Sequence, residues 1–256
     1  MIDSRPRGTA SRTSPFLPEG GKSVHAEELA KTIDHTLLRS DASARDLERL
    51  CKDARRYHFA AVCVFPYWVP FAKEQLADCD VKICAVVSFP FGADGLKAKV
   101  CAAEAAVEQG ADEIDVTVCL PAMLSGDYVY VRDELAGLVR AVRVTAVNSG
   151  HGPVIVKAII ETGCLTNKLK KLACTIVESA GADFVKTSTG CGPQGATIHD
   201  VELLRDALSE RVAVKASGGI RTFAEVERFI NAGAARIGTS AGAEIMREFI
   251  AHRQVS

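Results

Sequence analysis

The chain has 256 residues, of which 48% are hydrophobic and 25% are charged, and its formal net charge at pH 7 is −1. This composition is typical of a soluble globular protein, and a net charge near zero gives no overall positive field that would indicate nucleic acid or anionic lipid as a partner. No apolar stretch is long enough to span a membrane. We therefore expect neither nucleic acid nor a membrane as a partner.

Residues 1–24 are rich in Arg, Ser, Thr, Pro and Gly and contain few large apolar side chains. This composition predicts a disordered N-terminal extension before a single folded domain over residues 25–256. The extension lacks the apolar segment of a secretory signal. Nine cysteines, none with Cys-x-x-Cys spacing, lie mostly within apolar runs. They indicate reduced thiols in the core of a cytoplasmic protein.

From residue 27 onward, strand-like and helix-like segments alternate. The predicted strands cover residues 32–37, 60–65, 82–88, 113–118, 154–160, 183–187, 212–216 and 235–239. The predicted helices cover residues 44–57, 68–77, 95–109, 128–147, 167–180, 198–208, 222–231 and 241–252. Thr166 and Thr222 are suitable N-caps, and Gly110, Gly181 and Gly233 follow helices where a left-handed turn is favoured.

The predicted strands are continuous apolar runs, which is typical of a parallel sheet that is buried on both faces. Eight βα units without a break in composition predict a single α/β domain with the (β/α)₈ fold of a TIM barrel. An open doubly wound sheet is the alternative. A Gly-x-Gly-x-x-Gly after the first strand would favour it, but the pattern occurs only at residues 190–195, after the sixth strand.

Three lysines, Lys157, Lys186 and Lys215, each follow a valine and are spaced 29 residues apart. If the valines face the helices, the lysines point into the barrel. Neighbouring ammonium groups repel, so we expect the pKa of at least one lysine to fall, giving a neutral amine that forms a Schiff base with a carbonyl compound. The alternative is that each lysine reaches solvent or pairs with a carboxylate such as Asp115 or Glu161. For three lysines in register we favour catalysis.

Glycines and hydroxyls follow the seventh and eighth predicted strands, at Gly218 and Gly219 and at Gly238, Thr239 and Ser240. In such barrels these two loops often bind phosphate, because glycine lets the backbone N–H groups approach closely. The sequence therefore predicts a small phosphorylated carbonyl compound as the substrate.

An acid is also needed for proton transfer. Asp115 lies between apolar residues with inward parity and is the first candidate, and Asp34 is the second.

The six histidines form no metal-binding motif, so we expect no metal and no other cofactor. Residues 238–242 spell Gly-x-Ser-x-Gly, but only one short helix and His252 follow, which disfavours a serine hydrolase. Cys63 is expected to face the site, although it ranks below the lysines as a nucleophile.

The chain resembles the deoxyribose-phosphate aldolases from about Ile33 to the C-terminal helix, and these residues lie within the resemblance. The matching segments are Ile33-Asp-His-Thr-Leu37, Ala61-Val-Cys-Val-Phe-Pro66, Val87-Ser-Phe-Pro-Phe-Gly92, Glu113-Ile-Asp115, Lys157-Ala-Ile-Ile-Glu-Thr-Gly163, Ala182-Asp-Phe-Val-Lys-Thr-Ser-Thr-Gly190 and Val214-Lys-Ala-Ser-Gly-Gly-Ile-Arg-Thr222. The last two are the most specific, and all seven occur in order.

The resemblance implies a metal-free class I aldolase that reversibly cleaves 2-deoxy-D-ribose 5-phosphate to acetaldehyde and D-glyceraldehyde 3-phosphate. It implies that Lys186 forms the Schiff base, that Lys215 lowers the pKa of Lys186, and that Asp115 is the acid/base partner. It implies a homo-oligomer of two or four subunits. The residues that it places at the bound substrate are Asp34, Thr36, Lys157, Thr189, Gly190, Gly218, Gly219, Gly238, Thr239 and Ser240.

Two segments depart from the family pattern. Residues 116–121 differ from the commoner wording after the aspartate motif, and the sequence from His252 to Ser256 lacks the tyrosine that some members bring to the site. Two other functions stay open at this point. One is a Schiff-base lyase of the same barrel type that acts on a different phosphosugar or keto acid. The other is a non-enzymatic barrel that binds sugar phosphates.

Overall fold

The protein is a closed barrel of eight parallel strands, in a computed structural model that describes residues 25–255. Its strands are β1 Ile33–Leu37, β2 Ala61–Val64, β3 Lys82–Val87, β4 Glu113–Thr117, β5 Ile155–Ile159, β6 Phe184–Lys186, β7 Ala213–Ser217 and β8 Arg236–Thr239. Each strand pairs with the next in the chain, and β8 pairs with β1. The predicted TIM barrel is confirmed, and the open-sheet alternative is wrong.

Helices separate the strands and surround the barrel. They are α1 Ala26–Ala30, α2 Ala44–Tyr57, α3 Val69–Gln75, α4 Leu96–Gln109, α5 Leu120–Ser125, α6 Tyr128–Asn148, α7 Asn167–Ala180, α8 Ile198–Ala207, α9 Phe223–Asn231 and α10 Gly242–Val255. The sequence did not predict α1 and α5, because helices of five and six residues are too short to show a period of 3.6. The disorder predicted for residues 1–24 lies outside the described residues. Within residues 25–255, no helix has both the length and the apolar character needed to cross a bilayer.

The helix ends carry the N-caps and the terminal glycine that the sequence predicted. Thr222 and Glu225 form a capping box, in which the Thr222 hydroxyl accepts from the Glu225 amide and the Glu225 carboxylate accepts from the Thr222 amide. The Thr166 hydroxyl accepts from the Leu169 amide at the start of α7. Gly181 has a φ of +82° after α7, a conformation that a side chain would strain.

The two faces of the sheet differ in chemistry. Outward side chains of the strands pack with the helices into one continuous apolar core. Inward side chains of β2 and β3 form a second small cluster of Ala61, Cys63, Cys84 and Val86. The inward positions of the other strands include many charged side chains, so the barrel interior is apolar beside β2 and β3 and largely ionic elsewhere.

Strand register sets the heights of the three predicted lysines. Lys186 and Lys215 are direct partners across β6 and β7, whereas Lys157 on β5 is opposite Phe184, two residues before Lys186. Lys157 therefore lies one inward layer below the other two. Strands in a barrel are staggered by its shear, so an equal spacing of 29 residues along the chain does not produce equal heights.

The cysteines are only partly where the sequence predicted them. All of those described are free thiols, and Cys51, Cys63, Cys84 and Cys174 are buried as expected. In contrast, Cys101, Cys164 and Cys191 are exposed. An apolar run shows that a segment packs against the core, but it does not show which of its side chains faces outward.

A buried ion pair connects two helices to the end of β4. Lys99 on α4 donates to the Glu134 carboxylate on α6 at 2.8 Å and to the Thr117 carbonyl at 2.9 Å. The side chains of Lys99 and Glu134 are 0% and 3% exposed, and the Tyr130 hydroxyl donates to the second carboxylate oxygen. Removing one partner would leave an uncompensated charge in the core, which costs more than the pair itself contributes.

We expect Lys99→Met to lower the free energy of unfolding by about 3–5 kcal/mol, measured by urea denaturation at fixed protein concentration. The double variant Lys99→Met/Glu134→Leu should be destabilised by less than the sum of the two single changes. Arg247→Ala, which breaks an exposed pair with Glu244, is the control and should change stability by no more than about 0.5 kcal/mol. A loss for Lys99→Met as small as that of the control would contradict the buried-pair interpretation.

Candidate active site

The carboxylate of Asp115, inside the barrel on β4, is shared by all three lysines. Its Oδ1 atom accepts a hydrogen bond from Lys157 at 2.8 Å. Its Oδ2 atom accepts from Lys186 at 2.8 Å and from Lys215 at 2.7 Å. The Cys84 thiol donates to Oδ1 at 3.0 Å. Asp115 is fully buried, so water does not screen these contacts.

Further charges surround this centre and extend it toward the opposite wall of the barrel. Asp34 on β1 lies 2.5 Å from the Lys215 ammonium and pairs with the Arg236 guanidinium on β8. Arg236 also donates to both oxygens of Glu113 at 2.9–3.0 Å. Glu113 in turn accepts from Lys157 at 2.5 Å. The interior thus holds three carboxylates and four cations in one connected network.

The network moves pKa values in opposite directions for acids and bases. Burial alone would raise the pKa of Asp115, but Lys157, Lys186 and Lys215 outweigh it and hold this pKa well below its usual range. Burial alone would lower the pKa of Lys157 and Lys215, but Asp115 and its neighbouring carboxylates outweigh it and raise both above the ordinary 10.5. Asp115 is therefore ionised, and these two lysines are cationic, at neutral pH.

The upward shifts at Lys157 and Lys215 differ from what repulsion alone predicts. Each of the three lysines pairs with a carboxylate, as the alternative interpretation expects, and at Lys157 and Lys215 these carboxylates outweigh both repulsion and burial. The sequence does not show that the barrel brings Asp115 between the lysines. That the pKa of at least one lysine falls stays a prediction.

Lys186 differs from the other two lysines in its access. The side chains of Lys157 and Lys215 are 0% exposed, whereas that of Lys186 is 3% exposed and pairs with a single carboxylate. It is the last residue of β6, at the carboxyl end of the barrel. A molecule that enters from that end meets the Lys186 amine first.

Glycine-rich loops lie above Lys186 and touch one another. Gly190 follows β6 with a φ of +87°, and Gly218 follows β7 with a φ of +96°. A Cβ on Gly190 would lie 3.8 Å from the Gly218 backbone, and a Cβ on Gly195 would lie 2.3 Å from the Gly218 carbonyl oxygen. Only glycine permits this approach, which brings two lengths of open backbone together. A cavity of about 390 Å³ opens beside them and includes Arg228 and Glu225 in its lining.

The remaining predicted site residues occupy the same end of the barrel. Thr36 lies half-buried at the end of β1 and donates to the Asp34 carbonyl. A Cβ on Gly238 would lie 3.2 Å from Lys215 Cε, so this glycine makes room for the lysine chain. The Thr239 hydroxyl donates to the Ile220 carbonyl and thereby joins the loops after β7 and β8. Ser240 is exposed.

Sequence analysis missed three members of the network. Arg236 is a cation at the start of an apolar strand, two residues before Gly238, and strand parity could have placed it inside the barrel. Glu113 shares the parity of Asp115 and was quoted only as part of a motif. Cys84 was assigned to the core, and nothing in its neighbours indicated a contact with a carboxylate.

One group of residues has the composition of a metal site. Cys63, Cys84 and Asp115 place potential ligand atoms within 4.8 Å of one another, all fully buried. Both oxygens of Asp115 are already engaged by lysine ammonium groups. A divalent cation would have to displace those groups and enter a network that is already rich in cations, so the residues present fit a metal poorly.

Comparison with known proteins agrees with this geometry. A family model described as DeoC/LacD family aldolase matches residues 28–248. The chain belongs to this family. It is 48% identical to the deoxyribose-phosphate aldolase of Caldanaerobacter subterraneus over 221 residues, which cover 86% of this chain and 93% of that protein.

Solved structures of aldolases share the fold. The aldolase QR15 superposes with a TM-score of 0.81 at 37% identity and covers 89% of this chain and 98% of its own. The tetrameric deoxyribose phosphate aldolase of Aeropyrum pernix superposes with a TM-score of 0.81 at 31% identity, covering 89% and 93% of the two chains. The protein is therefore an aldehyde-lyase of a family that works through a lysine Schiff base.

The raised pKa of two lysines in this aldolase has a consequence for stability. A base whose folded-state pKa lies above its unfolded value stabilises the fold fully below the unfolded pKa, and that contribution is lost as pH rises through the folded-state pKa. For Lys157 and Lys215 the loss should begin near the ordinary value of 10.5.

We expect Asp115→Asn to lower the free energy of unfolding at pH 8 by about 3–5 kcal/mol, because the lysines lose their shared partner. The difference from the wild type should narrow as the pH rises from about 10.5 to 12, since only the wild type then loses this contribution. Urea denaturation at a series of pH values measures both effects. A difference that stays constant across this range would show that Asp115 does not raise these pKa values.

Proposed function

We propose that this aldolase reversibly cleaves 2-deoxy-D-ribose 5-phosphate to acetaldehyde and D-glyceraldehyde 3-phosphate, with Lys186 as the Schiff-base nucleophile. The observation that carries the proposal is the position of Lys186. It is the accessible member of a buried lysine cluster, it touches Asp115 at 2.8 Å, and glycine-rich loops follow its own strand and the next. The relatives named deoxyribose-phosphate aldolase support the choice of substrate.

The reaction begins when the Lys186 ammonium passes a proton to Asp115 and the resulting amine attacks the C1 aldehyde of the open-chain sugar. Loss of one water from the carbinolamine forms an iminium, which withdraws electrons from C2. Removal of the C3 hydroxyl proton then breaks the C2–C3 bond, releases glyceraldehyde 3-phosphate and leaves an enamine. Protonation of the enamine carbon and addition of water release acetaldehyde and free the amine.

Asp115 and Lys215 are the proposed proton carriers. Asp115 Oδ2 is 2.8 Å from the Lys186 nitrogen and 2.7 Å from the Lys215 nitrogen, so one oxygen contacts both amines. Its lowered pKa keeps it ionised, so it accepts hydrogen bonds from both amines and would hold a transferred proton only briefly. Lys157, bonded to Oδ1 and to Glu113, holds the carboxylate in place from below.

The glycine loops are the proposed site for the phosphate. Gly190, Gly218 and Gly219 all have positive φ values, which turn the backbone and leave no side chain between the N–H groups and a ligand. Thr189 and Thr239 contribute less directly, because their hydroxyls are engaged with Glu161 and with the Ile220 carbonyl. Their part is to shape the loops.

Borohydride reduction in the presence of 2-deoxyribose 5-phosphate should attach a stable adduct to Lys186, located by mass spectrometry of the digested protein. Lys186→Met should abolish the adduct and lower kcat by at least about 10³-fold, because the neighbouring amines of Lys157 and Lys215 are fully enclosed. Lys168→Met, which changes an exposed lysine on α7, is the matched control and should keep both adduct and activity. An adduct on a different lysine would refute the assignment.

The same assay distinguishes the neighbouring functions. Cleavage of another phosphosugar or a keto acid in preference to deoxyribose 5-phosphate would indicate a different Schiff-base lyase. Phosphate binding with neither turnover nor an adduct would indicate a binding protein.

We also infer that the protein is a homo-oligomer in the cytoplasm. Large apolar side chains of Tyr67 and Phe91 are 81% and 76% exposed on the barrel surface, which favours a covering subunit. The Cys84 thiol donates to Asp115 and must stay reduced to do so, as it would in the cytoplasm.

Analytical ultracentrifugation should give a mass of two or four times 27.3 kDa. The double variant Tyr67→Asp/Phe91→Asp should shift the mass toward a single chain, because a buried carboxylate opposes association. A single-chain mass for the wild type would overturn the inference.

A further inference from the structure

Glu161 is a buried carboxylate that the proposed reaction does not use. It follows β5, and its side chain lies beneath the loop that leaves β6. It is only 3% exposed, and it has a φ of +51°, which is rare for a residue other than glycine, asparagine or aspartate. Burying a carboxylate and straining its backbone both cost free energy, so the surrounding structure must hold this arrangement in place.

The side-chain contacts of Glu161 lead to one segment, residues 189–192. Its Oε2 atom accepts from the Thr189 hydroxyl at 2.5 Å and from the Thr189 amide at 3.2 Å. The same hydroxyl accepts from the Cys191 amide at 3.0 Å, which closes a tight turn around Gly190. Charge-assisted bonds to a buried carboxylate are stronger than bonds between neutral groups. The carboxylate therefore fixes the first half of this loop.

Packing fixes the second half. A Cβ on Gly192 would lie 2.7 Å from the Glu161 carboxyl carbon, so the loop passes directly over the carboxylate. A Cβ on Gly163 would lie 2.9 Å from Gln194 Cβ, which shows that the turn after Glu161 also supports the loop. On its opposite side, Gly190 faces Gly218. The loop is thus held between the end of β5 and the loop after β7.

We propose that Glu161 is a positioning residue that holds residues 189–192 in the conformation that binds the phosphate of the substrate. This inference rests on the proposed function, because it takes Gly190 as part of the phosphate site. Glu161 acts through Thr189 and Gly192 and touches neither Lys186 nor Asp115. Its loss should therefore weaken binding of the phosphate more than the chemistry at the amine.

Comparing phosphorylated and unphosphorylated 2-deoxyribose separates this role from general support of the fold. Glu161→Ala should lower kcat/KM for 2-deoxyribose 5-phosphate about tenfold or more, mainly through KM, and leave kcat/KM for 2-deoxyribose within about twofold. The inhibition constant of inorganic phosphate should rise by a similar factor. Glu161→Gln keeps one acceptor for Thr189. The ratio of kcat/KM for 2-deoxyribose 5-phosphate to kcat/KM for 2-deoxyribose should therefore lie between those of the wild type and Glu161→Ala.

Two further variants keep the test independent of the folding of Glu161→Ala. Thr189→Val removes the hydroxyl that Oε2 holds, and Gly192→Ala presses a methyl group against the carboxylate, so each should lower the same ratio. Glu202→Ala, at an exposed site on α8, is the control and should leave the ratio unchanged. Equal losses for both substrates, or an unchanged ratio, would overturn the proposal.

Failure of this proposal for Glu161 can be told apart from failure of the proposed function. If the wild type does not cleave 2-deoxyribose 5-phosphate, the proposed function fails. Titration calorimetry with inorganic phosphate then still tests the role of Glu161. We expect Glu161→Ala to bind phosphate more weakly than the wild type does. Equal phosphate binding by the two proteins would overturn the role of Glu161 alone.

Discussion

One buried carboxylate, that of Asp115, accepts hydrogen bonds from three lysines and holds the charged interior of the barrel together. Asp115 has no solvent contact, and each lysine would be costly to bury alone. Placed together, the acid lowers the cost of the bases and the bases lower the cost of the acid, which is why the pKa of Asp115 falls while those of Lys157 and Lys215 rise. The charges can exist inside the barrel only as a set.

This constraint explains how the interior is divided. Asp34, Glu113 and Arg236 form an outer part of the network that neutralises Lys157 and Lys215 from below and from the side. Lys186 lies at the upper edge, with Asp115 as its carboxylate partner and with access to the mouth of the barrel. A nucleophile needs such a position, because its proton must leave and a carbonyl carbon must reach it. The two fully enclosed lysines, Lys157 and Lys215, lack this access.

In the loops above the network, polar side chains also bond to other protein groups. Residues that would serve as substrate ligands in isolation, such as Thr189 and Thr239, direct their hydroxyls into the protein. The backbone of Gly190 and Gly218 carries no side chain, and the two glycines pack against each other. Side-chain hydrogen bonds therefore shape the loops, and the proposed phosphate site relies on the backbone of the glycine turns.

The barrel, its helix caps and the candidate residues at its carboxyl end could be predicted from the chain, because strand runs, Gly turns and Thr caps are local signals that act within one βα unit. Lys186, Lys215 and Asp115 could also be selected, since a charge inside an apolar strand is visible in the sequence. The folded structure was needed to show that Asp115 lies between the lysines, that Lys157 is one layer lower, and that Arg236 and Glu113 complete the network. Those facts depend on the stagger of strands around a closed barrel. The upward shift of the Lys157 and Lys215 pKa values depends on distances of 2.5–2.8 Å between residues up to 100 positions apart. No local pattern in the chain encodes such distances.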